Sequence, residues 1–302
     1  MIHFTKVLAA VLFLFASQVQ AEMWVSGAVT LHEVTGQVSL KQLGAETVLL
    51  APEQVPVSLP GLVDCEAIYG AAAYLSTSNR THIYFQGEGS FSVERFEQIM
   101  PDLQSWETTE SETGQSRMIL NFRGGEIVVD NRNMIESSQC LIETPLGRLT
   151  VKNALWQMRI EFDPRSQIFD FTINCSDGRV RFTDLQGQQY TLRTGQRLAG
   201  AGARNTPSIE IGESTIRSYE LIQRFKLMQD QYSESANVLE PFLGHFKGVD
   251  QGVRQSAVVP NSAAVKEMRR PIIIIEYADE PELVTPFRGE LKPPSANQAD
   301  LF

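Results

Sequence analysis

The period of the hydrophobic pattern is the feature that most constrains the fold of this chain. From residue 25 to about 200, apolar and polar residues alternate in short runs such as Leu149-Thr150-Val151 and Phe169–Ile173. Alternation at every second residue places the apolar side chains on one face of a strand, whereas a helix needs a spacing near 3.6. The sequence therefore predicts an all-β domain over residues 22–203, which is either sandwich-like or solenoid-like.

Three glycine-containing segments predict β-hairpins. Asp177-Gly178 and Gly124-Gly125 have the composition of type I′ turns, because glycine and aspartate tolerate a positive φ. Gly87–Gly89 predicts a three-residue loop. In each case the implied register sets apolar residues opposite one another. The predicted cross-strand pairs are Cys175–Val180, Ile173–Phe182, Phe122–Ile127, Leu120–Val129, Phe85–Phe91 and Ile83–Val93.

The first 21 residues have the pattern of a cleavable export signal. Lys6 precedes the apolar run Val7–Ala16, and Val19-Gln20-Ala21 fits the small-residue cleavage site. The run is too short for a permanent membrane span, so an uncleaved anchor is disfavoured. We expect residues 1–21 to be removed and the mature chain to lie in the periplasm or at the surface of a bacterium, with no integral membrane segment.

Charge and cysteine content narrow the functional classes further. Lys and Arg number 26 against 36 Asp and Glu, and the net charge of −10 disfavours nucleic acid as a partner. Three cysteines, Cys65, Cys140 and Cys175, allow one disulfide in an oxidising compartment, and their spacing does not choose the pair. The fold therefore depends on its core rather than on a disulfide scaffold.

The pattern changes after residue 200. Gly200–Ala203 predicts a flexible joint, and residues 204–247 predict a helical segment whose apolar residues form an amphipathic stripe. This helix packs on its own β domain or binds a partner. The stripe supplies the partner-binding candidates Ile216, Tyr219, Ile222 and Phe225.

The last segment, residues 248–302, predicts a mostly disordered tail with a short strand at 272–275. Its run of four isoleucines would pair with a sheet edge, either of this chain or of a partner. Ile273 and Ile275 are therefore further partner-binding candidates.

The residues that usually carry catalysis or bind metals are scarce. His32, His82 and His245 show no ligand spacing, and the chain contains neither a Cys-x-x-Cys pair nor a Gly-x-Ser-x-Gly elbow. We expect no enzyme activity, no cofactor and no metal site. The acidic segment 105–116 predicts an exposed loop between two β lobes rather than a cation site.

Exposed aromatic rings would favour an alternative function, because they stack on sugars. The candidates are Trp24, Trp106 and Trp156. Trp106 is the predicted exposed ring, since it lies in the acidic segment. Trp156 shares an apolar face with Met158 and Ile160, which favours a place in the core.

A series of motifs follows along the chain: a Thr-Pro-x-Gly start, a strand, a Gly-x-Val hairpin and a Leu-x-x-Gly-Gln ending. These motifs lie in the segments 144–147, 149–158, 176–182 and 190–198, with similar segments upstream at 36–38 and 72–79. Over about residues 28–202, the chain thus resembles the FecR-like domain of bacterial envelope proteins. The motif residues with an implied structural role are Thr144, Pro145, Gly147, Trp156, Gly178, Gly195 and Gln196. The family usually has Gly-Thr where this chain has Asn153-Ala154.

The resemblance implies an exported, non-catalytic β module that contacts other envelope proteins. FecR-type regulators carry an anti-sigma segment and a membrane helix before this part, where the present chain has its predicted signal peptide. The alternative function is binding of peptidoglycan or another cell-wall polysaccharide.

Overall fold

The computed structural model describes residues 22–42, 48–50, 55–60, 63–67, 70–233 and 242–250. The predicted signal peptide 1–21 and the tail with its candidate strand 272–275 lie outside these residues. The described part is predominantly β, as predicted, with one long helix after the strands.

The strands are β1 (Trp24–Ser26), β2 (Ala28–Thr35), β3 (Val38–Gln42), β4 (Val48–Leu50), β5 (Val57–Pro60), β6 (Val63–Ala67), β7 (Ala72–Thr77), β8 (His82–Gln86), β9 (Gly89–Ile99), β10 (Ser116–Phe122), β11 (Gly125–Asp130), β12 (Gln139–Thr144), β13 (Gly147–Asp163), β14 (Ile168–Asp184), β15 (Gln189–Arg193), β16 (Gln196–Gly202) and β17 (Ser208–Glu213). The helices are α1 (Leu103–Thr108), α2 (Ile216–Ser233) and α3 (242–250).

The strands form two sheets that share β13 and β14. The first sheet has the order β4-β3-β6-β9-β10-β12-β13-β14-β15, with β1 also paired to β9. The second has the order β5-β2-β7-β8-β11-β13-β14-β16-β17. Apart from the parallel β10–β12 pair, these pairings are antiparallel. Apolar residues of both sheets form one continuous core, so the sheets pack face to face as a sandwich.

The two shared strands pass from one sheet to the other at a bulge, and this overturns the hairpin predicted at Asp177-Gly178. β14 runs straight through Gly178, whose φ is +82°, opposite Asn153 with a φ of +46°. The chain reverses at Pro164–Gln167 instead. A glycine with positive φ occurs in β-bulges as well as in turns, so the Asp-Gly composition alone did not distinguish a bulge from a hairpin turn.

The hairpins predicted at Gly87–Gly89 and Gly124-Gly125 are also wrong, because both segments cross between the sheets. β8 belongs to the second sheet and β9 to the first, while β10 and β11 make the reverse crossing. The rings of Phe85 and Phe91 still meet, edge to face, with centroids 5.1 Å apart. They meet across the core rather than as neighbours on one sheet.

The helices cover the outside of the sandwich. α2 packs on the outer face of the second sheet, where Phe225 is fully buried among residues that include Tyr74 and Leu155. α1 overlaps the start of the segment 105–116 that was predicted to be an exposed loop, and its Trp106 packs with residues of α3. The predicted joint Gly200–Ala203 falls largely within β16, and the second sheet continues to Glu213. Gly200 lies against the ring of Phe171, which explains the small residue there.

Candidate functional site

A cleft of about 870 Å³ lies between α2 and the outer face of the second sheet. The sheet contributes the ends of β7, β8, β11 and β13, and the two crossing segments contribute backbone. α2 contributes Arg217, Arg224 and Met228. The middle of the helix packs on the sheet and leaves the polar end of the sheet uncovered. The cleft lies at this uncovered end.

Four arginines line this cleft although the chain as a whole is acidic. Arg159 is paired with Glu161 and Asp170, at 3.1 Å each. Arg123, Arg217 and Arg224 are exposed and form no ion pair with any residue that the structure describes. Unpaired guanidinium groups at a cleft favour a ligand that carries negative charge or several hydrogen-bond acceptors.

A buried carboxylate forms the floor of the cleft. Glu126 of β11 is 7% exposed and accepts one hydrogen bond from the Gln86 amide and another from the Gln157 amide, both at 2.6 Å. The Tyr84 hydroxyl in turn donates to Gln86 at 3.0 Å. These side chains come from neighbouring strands β8, β11 and β13, so the sheet itself fixes their positions.

A second, smaller cavity of about 100 Å³ adjoins this floor, beneath the start of α2. It shares Glu126, Arg159 and Arg217 with the cleft. Its other lining residues are Gln157, Thr172, Asn174, Arg197, Thr215 and Ser218. The two cavities thus form one polar region on the outer face of the second sheet.

The other end of α2 is fixed by a buried group of histidine and tyrosine side chains. Tyr232 stacks on His32 and on Tyr74, with centroids 5.2 Å apart in both pairs, and its hydroxyl donates to Glu33. The Tyr74 hydroxyl is hydrogen-bonded to Nδ1 of His82 at 2.8 Å. His32 is the extra residue of a β-bulge in β2, which aims its ring beneath the helix.

Burial keeps both histidines neutral. It lowers the pKa of His32 to about 4, assisted by the nearby His82. It also lowers the pKa of His82 to about 4, with Asp130 opposing the shift and Arg80 reinforcing it. Burial raises the pKa of Tyr232 to about 12, and the Glu33 carboxylate adds to this effect. The group therefore joins helix to sheet without buried ionised rings at neutral pH.

Of the four partner-binding candidates predicted on the helix, two are exposed and two are buried in the structure. Ile216 and Tyr219 are 79% and 50% exposed. Ile222 and Phe225 are buried against the second sheet, and so these two do not form an exposed contact surface. For Ile222 and Phe225, the structure therefore agrees with the hypothesis that the helix packs on its own β domain. Ile273 and Ile275 lie outside the described residues.

The residues predicted from the motif take backbone roles. The Thr144 hydroxyl donates to the Gly147 carbonyl and accepts from the Leu146 amide, which closes the turn around Pro145. Gly195 has a φ of +83° in the turn after β15, and the Gln196 side chain accepts from the Arg193 amide. Trp156 is fully buried, as predicted.

The prediction that Trp106 is an exposed ring is wrong. Trp106 is 1% exposed, because its indole donates to the Ser78 carbonyl and packs edge-on against Phe242 and Phe246. The Arg80 guanidinium lies over its other side. Trp24 is half-buried beneath Arg117. None of the three tryptophans thus forms an open stacking platform for a sugar.

The sequence pattern alone does not identify the polar residues of the cleft. Gln157 and Arg159 alternate with the core residues Trp156, Met158 and Ile160, which marks them as outward-facing. That alternation was the available signal, but it does not tell a solvent-exposed face from one covered by a helix. Within the described ranges, no group of His, Cys, Asp or Glu is placed to hold a metal ion.

The geometry defines a class: a two-sheet β sandwich whose outer face carries one long helix over a polar cleft. None of the helices in the described part is long and apolar enough to cross a membrane. No protein-family model matches the chain, and no curated protein matches it.

Two solved structures align with part of the chain, both crystal structures of a "putative anti-sigma factor" from Parabacteroides distasonis ATCC 8503. One has a TM-score of 0.36 and 8% identity over 53% of this chain and 63% of that chain. The other has a TM-score of 0.37 and 9% identity over 52% and 62%. The chain thus spans less than two thirds of either structure, and a likeness at this level assigns no function.

Proposed function

We propose that this chain is an exported, non-catalytic FecR-like β protein that acts by binding another protein of the bacterial envelope. The FecR-like resemblance of residues 28–202 supports the family, because its motif glycines stand at turns and at a bulge where the backbone has a positive φ. Gly147 and Gly178 both have positive φ, and a Cβ on either would lie 2.2 Å from a backbone oxygen.

The observation that carries the binding role is the outward face of α2. Phe225 marks the side of the helix that packs on the sheet. At 100° per residue, Ile216, Tyr219 and Leu227 fall on the opposite side, and they are 79%, 50% and 71% exposed. These three exposed apolar side chains on the outward side of the helix form a surface that contact with another molecule would bury. We call these three residues the outer helix face.

The experiment compares two full-length variants. One replaces the outer helix face, as I216S/Y219S/L227S, and the other replaces Leu185, which is 47% exposed in the turn after β14. A photo-crosslinking amino acid is placed at Gln223, on the same side of the helix. We expect wild type and L185S to crosslink one discrete envelope protein, and the triple variant to lose at least tenfold of that product.

Two results would contradict the proposal. Equal crosslinking by the triple variant would place the contact elsewhere. A crosslink only to a second copy of this chain, with a dimer mass by light scattering that the triple variant abolishes, would make the outer helix face a self-association surface.

A further inference from the structure

The small cavity beneath the start of α2 contains buried polar atoms that have no partner. Gln157 and Asn174 are each 2% exposed. Their side-chain oxygens, and Nε of Arg197, form no hydrogen bond with any residue that the structure describes. The three residues are successive cross-strand neighbours on β13, β14 and β16. Buried polar groups of this kind are costly unless something satisfies them.

The cavity is large enough to hold what would satisfy these atoms. One water occupies about 10–15 Å³ by the same kind of measure, so about 100 Å³ holds several waters or the edge of a larger ligand. The cavity adjoins the 870 Å³ cleft, and the two share the lining residues Glu126, Arg159 and Arg217. A ligand bound where the two adjoin would contact residues of both.

The donor and acceptor pattern restricts the chemistry of that ligand. The side-chain oxygens of Gln157 and Asn174 need donors, while Nε of Arg197 needs an acceptor. Neighbouring hydroxyl groups meet both needs, because each hydroxyl donates and accepts. A fully deprotonated inorganic anion such as sulfate offers no donor to Gln157 or Asn174, and a metal cation is opposed by the surrounding arginines.

The mouth of the cleft adds a charge requirement. Arg217 and Arg224 project from α2 beside the opening, and neither is paired within the described residues. We propose that cleft and cavity together bind a sugar that carries a carboxylate. Its ring hydroxyls bind Gln157, Asn174 and Arg197, and its carboxylate binds the guanidinium groups of Arg217 and Arg224. This site lies on the sheet side of α2, so it does not depend on the proposed outer helix face.

Calorimetric titration of the full chain tests the site with three probes. Glucuronate and N-acetylmuramate carry both hydroxyls and a carboxylate, and glucose carries hydroxyls alone. We expect saturable binding of at least one acidic sugar and at least tenfold weaker binding of glucose.

Three variants assign the contacts. Asn174→Leu removes a cavity acceptor with little change of shape and should weaken acidic-sugar binding at least tenfold without lowering Tm. Arg217→Ala should weaken binding of the acidic sugar and leave glucose unchanged. Arg165→Ala, an exposed arginine in the turn between β13 and β14, is the matched control and should bind as wild type.

The opposite results overturn the proposal. If none of the three sugars binds saturably, the cavity contains water only. If binding occurs but N174L and R217A bind as wild type, the sugar lies elsewhere. Neither result affects the crosslinking experiment on the outer helix face, so the two proposals fail independently.

Discussion

Tyr232 near the end of α2 stacks on His32 of β2, with ring centroids 5.2 Å apart and planes inclined by 26°. The contact joins two residues that are 200 positions apart in the sequence, and it fixes the helix to the second sheet. It also makes the attachment sensitive to pH, because burial beneath the helix disfavours the protonated form of the imidazole. Near His82, the Arg80 guanidinium opposes charging of the ring and the Asp130 carboxylate favours it.

Acid should therefore loosen α2. The folded-state pKa of His32 and His82 is about 4, below the ordinary 6.5, so the unfolded chain binds more protons between these values. As far as these two histidines are concerned, the free energy of unfolding should be constant above pH 7 and fall between pH 6.5 and 4, by up to about 1.4 kcal/mol per pH unit for each histidine. Urea unfolding at pH 7, 6, 5 and 4 measures this.

The variant His32→Gln separates the histidine effect from that of the carboxyl groups. Burial raises the pKa of Glu112 above its ordinary 4.5, which opposes the trend. H32Q retains Glu112 and should lose about half of the pH dependence. An unchanged slope in H32Q would show that the histidines do not control it.

Gly178 should be intolerant of a side chain because of the bulge it forms. A Cβ there would lie 2.2 Å from the Asn153 carbonyl oxygen, at a φ of +82°. Gly187 is the matched control, since its φ is +84° and a Cβ there meets nothing within 4 Å. We expect G187A to cost about 1–2 kcal/mol for the backbone conformation alone. G178A should cost at least about 2 kcal/mol more in urea unfolding. Equal costs would mean that the strands shift freely at this bulge.

The hydrophobic alternation predicted the class of fold but not how the strands connect. Phe85 and Phe91 are apolar partners whether their strands pair on one sheet or face each other across a sandwich. Both arrangements bury the same alternate residues, so a glycine turn between them is equally consistent with a hairpin and with a crossing. Only the pairings of β8 with β11 and of β9 with β10, which join segments far apart in the sequence, decide between them.

The sequence pattern did not predict the candidate site for a related reason. Gln157 and Asn174 occupy outward positions, and a polar residue at an outward position is normally solvated. They are buried because α2 packs over them, and the sequence shows that a helix is amphipathic without showing which strands it covers. Trp106 is the opposite case. Its acidic neighbours in the sequence predicted an exposed ring, but residues of α3 bury it.

Export can be tested on the N-terminus. We expect the chain recovered from the periplasm of an expressing bacterium to begin at Glu22, by N-terminal sequencing or intact mass. Ala21→Arg should block cleavage, because the site requires a small residue there, and should leave the uncleaved chain with the membrane fraction. A wild-type chain that begins at Met1 and stays in the cytoplasm would contradict the proposed export.

Two cysteines should resist thiol reagents in the folded protein. Cys140 and Cys175 are unpaired and buried, and burial raises their pKa to about 12 and about 11. Little thiolate is then present at pH 8, and the reagent cannot reach either sulfur. In a Cys65→Ser variant, we expect both to stay unlabelled for hours at pH 8 and to react within minutes in urea. Cys175→Ser and Cys140→Ser in the same background identify which thiol accounts for any native reaction. Rapid native labelling of Cys175 would show that the bulge opens, because its sulfur lies against the Asp177 carbonyl beside Gly178.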